Sequence, residues 1–287
     1  MNRDYLFMSG EYEVSMPAVF SMSSWMHTMI AKKLEISSGS LRRKGIDESL
    51  KGVVFFHDSE NISIGTDNLN LLADNEIPCW PNPRTLLAME DRHRVMNECV
   101  DRGFVTHDVE FVENSYDISL NYPYVVKVGQ EHRGQGKYLV KNSYDEAALE
   151  KWNGVATVEP FFEGCSFRVL IVGSRSWGVW YDNPDSWIKN SCGASIVNTH
   201  EFTEEERSSV ERHARSVASS FGLDVAGVDY IVNKDSFNFL EINQFPGLNV
   251  CDDAVKHAKL YLIERMKEVE DSYRHASDTF INRRQSQ

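Results

Sequence analysis

Two acidic side chains and one amide stand on a pair of strand-like segments near the carboxyl end of the chain. The segment VDYIV carries Asp229, and the segment NFLEIN carries Glu241 and Asn243. Residues two apart in a strand point to the same face, and a short turn between the segments brings Asp229 level with the other two. Carboxylate and amide oxygens suit a hard cation such as Mg²⁺ beside phosphate. The alternative is a solvated row on an exposed sheet face.

A lysine and a glycine-bearing loop form a second polar group. Lys127 lies in the apolar run VVKVG, and the loop QEHRGQG follows it, with Gly134, Gln135 and Gly136 at its end. Small residues let backbone N–H groups approach phosphate oxygens. The segment contains neither G-x-x-x-x-G-K-[ST] nor G-x-G-x-x-G after a strand, so neither a P-loop nor a Rossmann site is predicted. The alternative is a solvated hairpin tip.

The stretch EPFFEGCSFR combines aromatic and charged side chains. Its apolar connecting residues suit an adenine ring, a carboxylate nearby suits ribose hydroxyls, and an arginine on the next strand can hold phosphoryl or carboxylate charge. Core aromatics with a surface salt bridge are the alternative. The residues concerned are Glu159, Phe161, Phe162, Glu163 and Arg168.

The segment WIKNSCGAS carries Lys189 and Asn190 before a predicted strand. It could be a substrate or phosphate loop, although such a segment is more typical of an ordinary surface turn. No Ser-His-Asp or Cys-His arrangement is apparent, so catalysis by a nucleophilic side chain is not predicted.

The composition limits the class of protein. The 287 residues include 30 basic and 43 acidic side chains, and the net charge of −13 argues against a general nucleic-acid binder. Five cysteines without a CxxC pair predict reduced thiols. The first residues lack the order of a signal peptide, and no apolar run is long enough to span a bilayer. We therefore expect a soluble, cytoplasmic protein.

Helical and strand patterns alternate along the chain and must position these groups. The segment PNP at 81–83 marks a boundary between a small amino-terminal α/β unit and the rest. In the longest clear helix, Thr203 and Glu206 form a capping box. Periodicity predicts helices over 65–75, 85–103, 143–152, 203–221 and 252–270. It predicts strands over 52–56, 77–80, 122–129, 137–141, 155–162, 167–173, 176–182, 225–232 and 237–243.

Taken together and in this order, the polar segments resemble the ATP-grasp superfamily, in particular its RimK-like amino-acid ligases, and more distantly glutathione synthetase and D-alanine–D-alanine ligase. The resemblance covers about residues 85–270. VVKVG with GQG is similar to the family's strand lysine and phosphate loop, and GCSFRVLIVG to its GxDxR strand. FGLDVAGVDYIV followed by FLEINQFPGL is similar to its metal-binding signature.

The resemblance implies an α+β chain with an ATP-grasp fold, in which two α/β subdomains clamp ATP. The small domain would span 1–84 and the ATP-grasp domain 85–287, with a lid subdomain at about 120–162 and a disordered tail at about 277–287. Lys127 and Arg168 would be catalytic, and Asp229, Glu241 and Asn243 would bind two Mg²⁺, or Mn²⁺. The implied ATP contacts are Arg92, Lys127, Gly134, Gln135, Gly136, Glu159, Phe161, Phe162, Glu163, Lys189 and Asn190.

The activity implied by the resemblance is ATP-dependent joining of a carboxylate, such as an amino acid, to an amine of an amino acid, peptide or protein through an acyl phosphate. The resemblance also allows a homo-oligomer. No nucleic-acid partner and no membrane partner are expected. The alternatives are a phosphotransferase acting on a hydroxyl and a nucleotide-binding module with a decayed site. Four residues depart from the family pattern: Trp180 and Tyr181 replace a basic pair, Ser166 replaces an acid, and Arg92 stands where a lysine is usual.

Overall fold

The computed structural model describes residues 5–9, 26–30, 34–37, 40–43, 49–55, 66–129, 136–149, 151–183, 185–189, 195–196, 202–233 and 236–285. The chain forms two compact units. The first comprises Met1–Leu87, Val172–Ser174 and Gly247–Gln287, and the second comprises Ala88–Ile171 and Arg175–Pro246. The first boundary lies near the predicted residue 84, whereas 247–287, assigned by sequence to the second domain, belongs to the first unit.

The first unit contains a parallel sheet with strand order β2-β1-β6-β7. Its strands are β1 (Tyr5–Ser9), β2 (Met26–Ile30), β6 (Gly52–Phe55) and β7 (Cys79–Trp80). The strand and the helix predicted for 52–56 and 65–75 are present as β6 and α1 (Thr66–Asp74). An antiparallel sheet joins β3 (Leu34–Ser37), β4 (Ser40–Arg43) and β5 (Ser49–Leu50).

The last helix of the chain also belongs to the first unit. It runs over Asp252–Gln285 and buries Ala254, Ala258, Leu262 and Met266 on one face. It therefore continues through the segment from about residue 277 for which the sequence predicted disorder. Within the part of the chain that the structure describes, no helix is long and apolar enough to cross a membrane.

The chain forms two helices where the sequence predicted one helix over 85–103. The first helix, α2 (Pro83–Ala88), begins in the first unit, and α3 (Arg92–Asp101) begins anew. The carboxylate of Asp91 accepts hydrogen bonds from the backbone N–H groups of His93 and Arg94. This cap starts a separate helix, because it satisfies donors that a continuous helix would pair internally.

The first sheet of the second unit is antiparallel, with order β10-β9-β11-β8. Its strands are β8 (Glu110–Val112), which the sequence did not predict, β9 (Tyr124–Val128), β10 (Lys137–Val140) and β11 (Ala156–Pro160). One face buries Tyr124, Val126, Val140 and Val158. The other face carries Lys127, Lys137 and Thr157 in register. Helix α4 (Ser143–Ala147) is shorter than the predicted 143–152.

The second sheet has the order β14-β13-β12-β15-β16. Its strands are β12 (Cys165–Val172), β13 (Arg175–Asp182), β14 (Ser195–Ile196), β15 (Val225–Val232) and β16 (Phe237–Asn243). The predicted bounds of β15 and β16 are confirmed. Helix α5 (Glu204–Ser220) packs on β15 and β16, and the predicted capping box of Thr203 and Glu206 is present. Buried side chains of the helix and the sheet form the largest core of this unit.

Candidate active site

The acidic strand pair brings the three predicted oxygen ligands to one place. Asp229 of β15 lies directly opposite Glu241 of β16, and Gly227 lies opposite Asn243. Directly opposed residues of antiparallel strands project on the same face, and their diagonal neighbours remain within reach. The Nδ2 of Asn243 donates a hydrogen bond to Oδ2 of Asp229 at 3.1 Å. The three side chains therefore converge.

Arg168 on the neighbouring strand β12 forms a two-pronged ion pair with Asp229. Its Nε and Nη2 donate to Oδ1 and Oδ2 at 2.6 and 2.7 Å. Burial alone would lower the pKa of the guanidinium, but the carboxylate of Asp229 raises it above its ordinary value. A Cβ at Gly227 would lie 3.4 Å from Cδ of Arg168 and 3.0 Å from Cβ of Pro246. The glycine leaves room for the arginine to lie across β15.

Glu241 faces a lysine that the sequence analysis did not single out. The Nζ of Lys137 lies 3.8 Å from Oε2 of Glu241. The positive charge of Lys137 is the largest influence holding the pKa of Glu241 far below its usual range, and the charges of Arg92, Lys127 and Arg168 add to it against burial. Glu241 is therefore ionised at neutral pH. Counting the register of the β9–β10 hairpin from Lys127 would have found Lys137.

Lys127 and Glu159 form a second buried ion pair on the polar face of the antiparallel sheet. The Nζ of Lys127 donates to Oε1 of Glu159 at 2.5 Å, and the two residues are 6% and 1% exposed. Burial is the largest single influence on the pKa of Glu159 and would raise it, but the interactions with Lys127 and His107 together outweigh burial and lower the pKa. The pair therefore places a positive charge at a buried position of this face.

His107 extends this ion pair, and the sequence analysis also missed it. Its Nε2 lies 3.8 Å from Oε2 of Glu159, which is too long for a hydrogen bond. Its ring packs edge-on against Phe162 with centroids 4.9 Å apart. Both ring nitrogens are buried without a hydrogen-bond partner among the described residues. No spacing in the sequence relates His107 to the strand that carries Glu159.

Two of the remaining predicted residues, Phe161 and Lys189, line the same pocket as the two ion pairs. Phe161 packs edge-on against Trp187 with centroids 6.4 Å apart, and its N–H donates to the carbonyl of Pro123 at 3.0 Å. A nucleotide contact through this N–H would have to replace that bond. The Nζ of Lys189 donates to Oδ1 of Asp182 at 2.5 Å.

Three further predicted residues lie at less central places. Glu163 is exposed, and Gly136 ends the loop, its carbonyl accepting a hydrogen bond from Val128. Arg92 begins α3, half-buried, and its charge acts on Glu241. Gly134, Gln135 and Asn190 lie outside the described residues.

A pocket of about 90 Å³ lies where these groups meet, entirely within the second unit. Charged and apolar side chains both line it, and Ser166 and Tyr181, two of the departures from the family pattern, are among the lining residues. Trp180, another of the departures, instead packs in the core against Phe167, with 4.5 Å between the ring centroids. The charged residues that line the pocket include Lys127, Lys137, Glu159, Arg168, Asp229 and Glu241.

The donor set of this pocket fits a magnesium ion beside phosphate better than a metal held by protein alone. No cluster of three or more His, Cys, Asp or Glu side chains in the described ranges could hold a metal ion. A metal here would rest on Asp229, Glu241 and the amide of Asn243. Magnesium binds proteins through one or two carboxylates and takes its other ligands from water and phosphates.

Comparisons with known proteins identify the family and the fold. A family model described as the RimK-like ATP-grasp domain matches residues 100–263. D-alanyl-alanine synthetase A from Vibrio cholerae is 12% identical, with a TM-score of 0.71 over 94% of this chain and 99% of that one. A RimK domain ATP-grasp protein from Sphaerobacter thermophilus is 12% identical, with a TM-score of 0.65 over 90% of this chain and 97% of that one.

A further similar structure contains ligands. It is the ATP-grasp ligase PsnB complexed with minimal precursor, Mg and ADP, which is 8% identical, with a TM-score of 0.66 over 92% of this chain and 98% of that one. At these identities the likeness shows the ATP-grasp fold. Among curated proteins, no sequence matches this chain.

Proposed function

The chain belongs to the RimK-like ATP-grasp family, and from this membership we propose that it is an ATP-dependent carboxylate–amine ligase. The observation that carries the proposal is the meeting of Arg168, Asp229 and Glu241 with Lys127 and Lys137 in one pocket of the second unit. The cations of these pairs could turn to phosphate groups, and the carboxylates that they leave could then bind a metal ion. A sheet face with only a structural role does not need such ion pairs.

The proposed reaction has two steps. An oxygen of the substrate carboxylate attacks the γ-phosphorus of ATP, the bond to the β-phosphate oxygen breaks, and ADP leaves. The amine nitrogen then attacks the carbonyl carbon of the acyl phosphate, the carbon–oxygen bond to phosphate breaks, and the proton of the amine passes to solvent. Inorganic phosphate leaves and an amide remains. No nucleophilic side chain is required, which fits the lack of such an arrangement in the sequence.

The residues of this chain would supply position and charge. Lys127 would leave Glu159 to hold the ATP phosphates, and Arg168 would leave Asp229 to stabilise the charge that moves with the phosphoryl group. Phe161 and Phe162 would offer backbone groups to the adenine ring, for which the N–H of Phe161 would leave the carbonyl of Pro123, and Glu163 would reach the ribose. Lys127, Glu159 and Asp229 are buried, and a substrate that fills the pocket would keep water from the acyl phosphate.

Asp229, Glu241 and Asn243 would hold two magnesium ions, or manganese. When bound, the metal would neutralise phosphate charge and orient the phosphates. Asp229 and Glu241 lie opposite each other on the same face of the sheet, which supports this assignment. Both also face a cation of the chain itself, so metal binding would require Arg168 and Lys137 to move away.

The substrates are proposed by class. PsnB binds a minimal precursor, and D-alanyl-alanine synthetase A is named for a dipeptide product, so amino acids are the first carboxylates to test, and amino acids or peptides the first amines. A phosphotransferase is the second candidate, because the same phosphate contacts would serve a hydroxyl acceptor. It predicts ADP and a phosphorylated product without phosphate release.

The test is ADP and phosphate release with Mg-ATP against pooled amino acids and amines, with Glu241→Ala beside the wild type. We expect equal ADP and phosphate, dependent on one pool and absent in the variant. ADP without phosphate would replace the ligase by the phosphotransferase. An inactive wild type that also fails to bind ATP would overturn both.

A further inference from the structure

Lys137 links the two sheets of the second unit at the centre of the pocket. It is the first residue of β10 in the antiparallel sheet, and its ammonium lies 3.8 Å from a carboxylate oxygen of Glu241 in the other sheet. The two side chains are 16% and 22% exposed. This distance is too long for a hydrogen bond, so the contact is an ion pair only. Either side chain can leave the other without breaking a hydrogen bond between them.

The register of β9 and β10 gives Lys137 a second cation as its neighbour. Lys137 lies directly opposite Lys127. Like charges directly opposite each other in a sheet repel, so the pair requires counter-charges. Glu159 supplies one within the same sheet, and Glu241 supplies the other. The two lysines thus depend on two separate carboxylates.

Glu241 has a corresponding need for a cation. It is a half-buried carboxylate opposite a second carboxylate, Asp229, and Asp229 already takes both hydrogen bonds from Arg168. The ammonium of Lys137, 3.8 Å from an oxygen of Glu241, balances the charge of this carboxylate. Lys137 therefore supplies Glu241 with the positive charge that a metal ion bound to this carboxylate would otherwise supply.

We propose that Lys137 is an internal counter-cation that occupies Glu241 in the nucleotide-free protein and transfers to the nucleotide phosphates when a metal ion binds there. The inference rests on the proposed function and adds a positioning residue to it. A metal ion arriving alone must displace Lys137 into a pocket whose other described carboxylates, Glu159 and Asp229, already hold Lys127 and Arg168. A metal ion arriving with a nucleotide provides an anion for Lys137. Metal and nucleotide binding are thereby coupled.

The test is Mn²⁺ binding to the full chain, measured by electron paramagnetic resonance without nucleotide and with ADP. In the wild type we expect weak Mn²⁺ binding that ADP strengthens. In Lys137→Met we expect Mn²⁺ to bind about tenfold tighter without nucleotide, and the strengthening by ADP to shrink. A gain of metal affinity on removing a side chain is not expected from a merely structural role.

Two further variants sharpen the result. Lys137→Arg keeps the charge and should retain the weak nucleotide-free binding. Lys141→Met removes an exposed lysine just beyond the end of the same strand and should leave Mn²⁺ affinity unchanged. Unchanged or weaker nucleotide-free binding in a folded Lys137→Met, with Mn²⁺–ADP still bound by the wild type, would overturn the role of Lys137 alone. Lack of Mn²⁺ binding by the wild type even with ADP would overturn the metal site and this proposal together.

Discussion

Asp229 and Glu241 face each other across two antiparallel strands, and each is matched by a cation from a different strand. Arg168 of β12 holds Asp229 with two hydrogen bonds, and Lys137 of β10 lies 3.8 Å from Glu241. Two carboxylates side by side repel, so these cations stabilise the fold as long as no other cation is present. The same cations are the groups that a phosphate-bearing ligand would need.

The first prediction concerns the stability of the Arg168–Asp229 pair. Arg168→Met should lower the free energy of unfolding by about 3 kcal/mol, because it leaves a buried carboxylate without its partner. Asp229→Asn in addition should recover part of that loss by removing the charge. Urea unfolding of the two variants and the wild type measures both effects. A single variant within about 0.5 kcal/mol of the wild type would mean that the pair is solvated.

The second prediction concerns nucleotide binding by Lys127. Lys127→Met should raise the dissociation constant for ATP by about tenfold or more, because a buried charge-assisted contact to phosphate is lost. Isothermal titration calorimetry measures it, with Lys141→Met as the exposed-lysine control. An unchanged constant for Lys127→Met would place the phosphates elsewhere. A folding defect would show first in the circular dichroism spectrum.

The acidic strand pair and the helix before it could be predicted because local patterns determine them. Alternation and a short turn define β15 and β16, and the Thr203–Glu206 capping box starts α5. Lys137 could have been found from the hairpin register, because it lies directly opposite Lys127, whereas His107 depends on packing between distant segments, which local patterns do not carry. The break in the helix predicted over 85–103 was missed because the cap at Asp91 competes with a pattern that remains helical on both sides.

The third prediction concerns acid stability through His213. The Nδ1 of His213 bonds the Tyr230 hydroxyl at 2.8 Å and its Nε2 bonds the carbonyl of Phe104 at 3.0 Å. Burial lowers the pKa of His213, and the hydrogen bond to the carbonyl of Phe104 raises it. The effect of burial is larger, so the pKa lies below its ordinary value. The unfolded chain therefore binds more protons below about pH 6.5, so stability is full above that pH and falls as the pH drops towards the folded-state pKa.

Urea unfolding at pH 7.5 and pH 5.5 measures this dependence. His213→Gln keeps a polar side chain without titrating in this range, so it should lower stability at pH 7.5 by about 1 kcal/mol but lose less than the wild type between the two pH values. His93, whose pKa burial also lowers, is present in both proteins and cancels in the comparison. Equal losses in the two proteins would show that His213 does not cause the acid sensitivity.

The last prediction concerns Gly164, which joins the aromatic segment of the pocket to β12. Its φ is +156°, and a Cβ there would lie 2.3 Å from the carbonyl oxygen of Val232. Backbone atoms cannot yield as a flexible side chain can, so Gly164→Ala should force β12 and β15 apart and cost about 3 kcal/mol. Because these strands carry Arg168 and Asp229, ATP-dependent turnover should fall as well.

Gly154→Ala provides the matched control for that change. Gly154 has a φ of +83°, but a Cβ there would meet no atom within 4 Å. The same substitution then costs only the backbone strain of about 1 kcal/mol. Urea unfolding of both variants separates the two causes, because a close contact acts only at Gly164. If the two variants lost equal stability, strain in φ alone would account for Gly164, and its approach to Val232 would not position the pocket.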